Sequence, residues 1–129
     1  FICIDDEINK GIPSHRIFLA GFSQGGAMAL YTGLTHPQTL GGIIGIACYI
    51  PIPDQSLLHR HPNNQHTPVL LLHGTEDKTI PFSLGQSSYA WLRNLQYSVT
   101  LKQFPVDHIL TNEELNCSST WIKEEINTQ

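Results

Sequence analysis

Apolar residues fall along this chain in short unbroken runs separated by segments of mixed, helical spacing. Residues 16–20, 40–47 and 67–72 are almost wholly apolar or glycine, the pattern of strands covered on both faces. Val99–Phe104 alternates only in part, as at a sheet edge. Between these runs the spacing predicts helices. Residues 1–10 carry Ile4 and Ile8 on one face, and Gly11 and Pro13 follow as stop signals. Residues 27–35 are small and apolar and end at His36-Pro37. Residues 82–95 offer Leu84, Tyr89, Trp91, Leu92 and Leu95 for burial, and residues 112–126 turn Leu115, Ile122 and Ile126 inward. Strands alternating with helices imply parallel pairing through right-handed crossovers, hence an α/β fold. Residues 48–66 are rich in Pro, His, Asn and Gln. A connection that long is functional or hides a short helix, and it would lie at the carboxyl end of the second strand, where α/β proteins bind ligands.

Composition narrows this picture. The 129 residues fit one domain, and 40% apolar against 14% charged residues excludes a disordered chain. A net charge of −4 with only 7 Lys and Arg argues against nucleic acid as a partner. Cys3, Cys48 and Cys117 form no disulfide framework or zinc ribbon and read as small hydrophobes in a reducing, cytoplasmic setting. No apolar run approaches the roughly 18 residues of a transmembrane helix.

The chemistry enters at Gly21-Phe22-Ser23-Gln24-Gly25, which matches G-x-S-x-G. A serine on a sharp strand-to-helix turn stands clear of the sheet and can reach a carbonyl. Gly21 and Gly25 are expected to let strand and helix approach without a Cβ clash. The Gln24 amide, at the positive end of the following helix, is expected to donate to an oxyanion. The nucleophile then needs a base, and the base an orienting acid, in the chain order Ser, acid, His. Of the seven histidines, His108 lies on the loop between the fourth strand and the last helix, where a base belongs. His73 ends the third strand and reads better as a structural histidine bonded to the neighbouring turn. The acids between Ser23 and His108 are Asp54, Glu76, Asp77 and Asp107. Asp77 is preferred, because its turn points a carboxylate toward the next strand's loop, whereas Asp107 is too close along the backbone to orient the adjacent ring.

Arg16-Ile-Phe-Leu-Ala-Gly-Phe-Ser-Gln-Gly-Gly26, His73-Gly-Thr-Glu-Asp77 and Phe104-Pro-Val-Asp-His108 together resemble the acyl-protein thioesterase family, also called the phospholipase/carboxylesterase group of α/β-hydrolases. Gly11-Ile-Pro13 and Cys48-Tyr-Ile-Pro51 add to the likeness. The resemblance implies a three-layer α/β/α sandwich around a mainly parallel sheet. It also implies the triad Ser23, Asp77 and His108, and so selects Asp77 over Glu76. The expected reaction is hydrolysis of small-molecule carboxylic esters or thioesters, acylated proteins or lysophospholipids, with no cofactor and no metal. Position 107 is usually Gly in the family and position 109 small or polar. Asp107 is therefore expected to raise the basicity of His108 or compete with Asp77 for it, and Ile109 to narrow the pocket. Residues 49–66 and Phe82 are expected to wall the site.

The family's first strands, and the His-Gly loop that supplies its second oxyanion donor, have no counterpart in the sequence. Residues 1–129 are thus expected to be the C-terminal part of one larger hydrolase domain. The competing expectation is a catalytically silent fragment or binding module with an incomplete oxyanion hole. A metal site at His59, His61 and His66 is a weaker reading, since no cysteine or nearby carboxylate completes the ligand set.

Overall fold

Four strands alternate with four α-helices among residues 2–50 and 59–128, which the computed structural model describes. In chain order they are α1 (Ile2–Asn9), β1 (Phe18–Phe22), α2 (Gln24–Thr35), β2 (Gly42–Ile46), β3 (Val69–Gly74), α3 (Phe82–Asn94), β4 (Val99–Phe104) and α4 (Asn112–Asn127). The sheet order is β1-β2-β3-β4, and each neighbouring pair is parallel. Every residue of β2 and β3 is buried, as their apolar runs imply. Alternate side chains serve opposite faces. Ile43, Val69, Leu71 and Val99 pack with Leu30 and Leu34 of α2 and Leu92 of α3. Ile44, Ile46, Leu70, Leu72 and Phe104 pack with Trp121 of α4. The helices therefore form a layer on each face, and all four strands present their carboxyl ends to one rim.

Three expectations shift. The first strand begins at Phe18 and runs on through Phe22, so the residues read as the start of a glycine turn are its last rungs. It is half-buried rather than enclosed, because it stands at one end of the sheet order. On the helices, Leu84 and Trp91 are each 38% exposed and Leu115 is 48% exposed. The inward positions are Gly85, Ser88 and Leu92 of α3 and Glu114, Ser118 and Trp121 of α4. Two of the three buried residues in each helix are small or polar. Leu92 is buried as expected, and Tyr89, Leu95 and Ile122 pack partly buried against the core, so the apolar pattern finds the inward face and errs at Leu84, Trp91 and Leu115. The Ser88 hydroxyl accepts from the Ile50 amide at 2.8 Å and donates to the Leu84 carbonyl at 3.0 Å. Glu114 closes a capping box with Thr111 at the start of α4.

The return of the long connection is built on Asn64, which is fully buried. Its Oδ1 accepts from the Leu40 amide and the Thr67 hydroxyl, and its Nδ2 donates to the carbonyls of His36 and Gln38. All four hydrogen-bonding capacities of the amide are used, which offsets its burial. The His61 ring accepts from the Asn63 amide at 3.1 Å and caps the short 3-10 turn Pro62–Asn64. Among the described residues no three His, Cys, Asp or Glu side chains converge as for a metal ion. Nor, among them, is any helix long and apolar enough to cross a membrane. Asp54, Pro51 and the remainder of 51–58 lie outside the described residues.

Candidate active site

β1 runs directly into Ser23, and α2 starts at the next residue. The whole reversal falls on one serine, held at φ 57° and ψ −120°. Such a conformation costs about 1–3 kcal/mol in a non-glycine residue and persists only when its surroundings enforce it. Here the Ser23 amide donates to the Ile46 carbonyl at 2.7 Å, and its carbonyl accepts from the amides of Gly26 and Ala27. The glycines that permit this are Gly21 and Gly26. A Cβ on Gly21 would overlap the Gly25 carbonyl, and one on Gly26 would stand 2.8 Å from Cys48 Sγ and 2.9 Å from the Gly21 carbonyl. Gly25, expected to give clearance, has open space where its Cβ would be. The first turn of α2 meets β1 through the Gly25 backbone and turns position 26, not 25, toward Cys48. Gly25→Ala should accordingly stabilise the chain by up to about 1 kcal/mol through helix propensity. Gly21→Ala should destabilise it by about 3 kcal/mol through overpacking, both read from urea midpoints.

His108 lies beyond β4, and Asp77 lies in the turn after β3. His108 Nδ1 is 2.7 Å from Asp77 Oδ2, and His108 Nε2 is 2.9 Å from Ser23 Oγ. An ionised carboxylate only accepts, so Nδ1 carries the proton and donates it. That leaves Nε2 bare to accept from the serine hydroxyl. The Phe22 ring lies 4.9 Å from the imidazole and packs beside it. Asp77 is 7% exposed. Burial, the largest single influence, opposes its ionisation. Hydrogen bonds from His108 and from the amides of Ile80 and Thr79, with the charge of His108, together outweigh burial and hold the carboxyl below its ordinary value.

The other candidates take other partners, although His73 Nε2 also lies 3.5 Å from Asp77 Oδ2. His73 is 1% exposed, and its Nε2 donates to the Ile80 carbonyl at 2.7 Å. It braces the turn that carries Asp77, as a structural histidine would. Glu76 is exposed. Asp107 does not compete for the His108 ring, because its Oδ1 accepts from the backbone amides of Lys78 and His108. Ile109 is 53% exposed and is not among the residues that line the cavity beside Ser23. Phe82 packs edge-on against His73, 5.7 Å away, instead of walling the site.

A cavity of about 330 Å³ opens beside Ser23, lined by Gln24, Ala27, Met28, Cys48, Tyr49 and Ile80. Burial pushes the Cys48 thiol up to about 12, so it stays protonated and serves as apolar wall. Gln24 opens α2, and an amide in the first turn of a helix has no intrahelical acceptor, so its N–H is available beside Ser23. Sequence patterning missed Gly26, Met28 and Ile80. Position 80 lies three residues past Asp77 in a polar turn, and no spacing rule brings it to the serine.

The sequence model of a family described as phospholipase/carboxylesterase matches residues 2–126. The chain is 38% identical over 126 residues to acyl-protein thioesterase 1 of Yarrowia lipolytica, covering 95% of this chain and 56% of that protein. It is 36% identical over 124 residues to a probable carboxylesterase of Oryza sativa subsp. japonica, covering 95% and 47%. The crystal structure of SOBER1 from Arabidopsis thaliana superposes with a TM-score of 0.93 at 32% identity, covering 97% of this chain and 60% of that one. The chain thus spans about half the length of the curated relatives it matches.

Proposed function

Since the chain belongs to the phospholipase/carboxylesterase family, we propose that the protein hydrolyses carboxylic esters or thioesters through an acyl-enzyme on Ser23. Ser23 Oγ attacks the substrate carbonyl while His108 Nε2 takes its proton. His108 returns that proton to the departing alcohol or thiol. Asp77 fixes the tautomer and stabilises the imidazolium. The Gln24 amide donates to the oxygen that gains charge. Water then attacks the acyl-enzyme with His108 again as base, releasing the acid and restoring Ser23. Neither half-reaction calls for a cofactor. The hydrogen-bonded line from Ser23 through His108 to Asp77 carries this reading. The apolar cavity beside Ser23 suits the acyl half of the substrate, and relatives named acyl-protein thioesterase and carboxylesterase support acylated proteins and small esters as classes to test.

A fluorophosphonate probe tests the reading. The folded chain should be labelled at Ser23, located by peptide mass mapping. A folded chain that takes up no probe would instead be the silent binding module.

A further inference from the structure

The turn that bears Asp77 and the loop that bears His108 leave the sheet side by side, and their pairing does not stop where β3 and β4 end. The last strand pair is Gly74 with Phe104. Beyond it the Thr75 amide donates to the Phe104 carbonyl at 2.8 Å, and the Glu76 amide to the Val106 carbonyl at 3.1 Å. A Cβ on Gly74 would overlap the Val106 carbonyl, so the two segments also touch closely. The next link is of another kind. The Lys78 amide donates at 2.9 Å to the side-chain Oδ1 of Asp107, and the same oxygen accepts from the His108 amide at 2.7 Å. One carboxylate oxygen therefore holds the backbone immediately after Asp77 and the backbone of His108 itself.

We infer that Asp107 is a positioning residue that ties the acid-bearing turn to the base-bearing loop and so sets the alignment of Asp77 with His108. This rests on the proposed roles of Ser23, His108 and Asp77. The local turn does not need the carboxylate, because the Ile109 amide is bound by the Asp107 backbone carbonyl at 2.8 Å, which any residue supplies. The side chain is spent on the link between loops. The two amides, first among the influences on it, hold the Asp107 carboxyl below its ordinary value, so the acceptor is charged at neutral pH and its hydrogen bonds are the stronger kind. The Lys78 link is exposed and the His108 link only part-buried, so losing the acceptor should misalign the loops without unfolding the chain.

The experiment compares Asp107→Ala with Asp107→Asn in the full chain, by turnover of an aryl ester and by amide hydrogen exchange. A misplacement near 1 Å costs on the order of 100-fold in rate, so Asp107→Ala should lower kcat roughly 10- to 100-fold with KM within about twofold. Its Lys78 amide should exchange about tenfold faster through local opening. Asp107→Asn, which keeps an acceptor oxygen, should recover most of both losses. Unchanged kcat and Lys78 exchange in Asp107→Ala would overturn the inference. So would an Asp107→Asn variant as slow as Asp107→Ala, since charge and not the tie would then be at work. Were the parent chain inert toward esters and fluorophosphonate, the proposed function would fall, and Lys78 exchange would still decide whether Asp107 holds the loops together.

Discussion

Ser23→Ala should lower kcat for ester hydrolysis by about 10⁶. The hydroxyl is the group aligned with His108 Nε2, and an alanine leaves the imidazole with nothing to deprotonate. The two side chains would act as a unit, so His108→Ala should cost about as much, and the double variant no more than either alone. Residual activity would reflect the Gln24 amide and substrate binding, which survive both changes. Folding and chemistry can be separated at the same position. Alanine keeps the Cβ, and with it the strain of φ 57°. Ser23→Gly removes the strain and should be equally inactive, yet more stable by about 1 kcal/mol. Steady-state kinetics with an aryl ester, beside thermal melts, reads both. Parental turnover in Ser23→Ala would remove Ser23 from the role of nucleophile.

Asp77→Asn should lower kcat by about 10⁴. The reason is a tautomer. Asn can still offer its oxygen to the amides of Thr79 and Ile80, which Asp77 Oδ1 now serves. Its NH₂ would then face His108 Nδ1, where Oδ2 stands at 2.7 Å. The ring would have to accept there, placing its proton on Nε2, where it could no longer take one from Ser23. The same substitution exposes a pH signature. The folded state holds the Asp77 carboxyl below its ordinary value of about 3.9. The stabilisation from its ionised form is present above that ordinary value and is lost as pH falls through the lower folded value. The gap in thermal midpoint between the parent chain and Asp77→Asn should hold steady from pH 7 to about pH 5 and close below about pH 4. A gap independent of pH would mean that the carboxylate is not favoured by the fold.

The parallel α/β arrangement was legible because β2 and β3 are buried on both faces and must be written in apolar residues. The bounds of β4 could be read from its partial alternation. Ser23, Asp77 and His108 could be selected from chain order and loop position, and the structure places their side chains within hydrogen-bond distance. What resisted reading is contact that no local period encodes. Gly26 matters because Cys48 arrives from just beyond the next strand, and Gly85 because the His73 ring lies 2.6 Å from where its Cβ would be. Two serines, a glycine and a glutamate on the inner faces of α3 and α4 look polar or neutral in sequence, and only their partners make them interior residues. Asp107 was misjudged for a related reason. Its proximity to the ring along the chain was visible, but the amide of Lys78, 29 residues away, was not.

The single-residue reversal at Ser23 also bears on how the chain acquires its chemistry. Ser23 and His108 are 85 residues apart in sequence, and the serine amide hangs from Ile46 on the strand between. Contacts of such separation bear a large loop-closure entropy and form slowly. A partly assembled sheet could own every helix and still leave the serine unpaired. On the proposed mechanism, acylation at Ser23 would report completed topology, since a chain lacking the β1–β2 ladder would not hold the serine against His108.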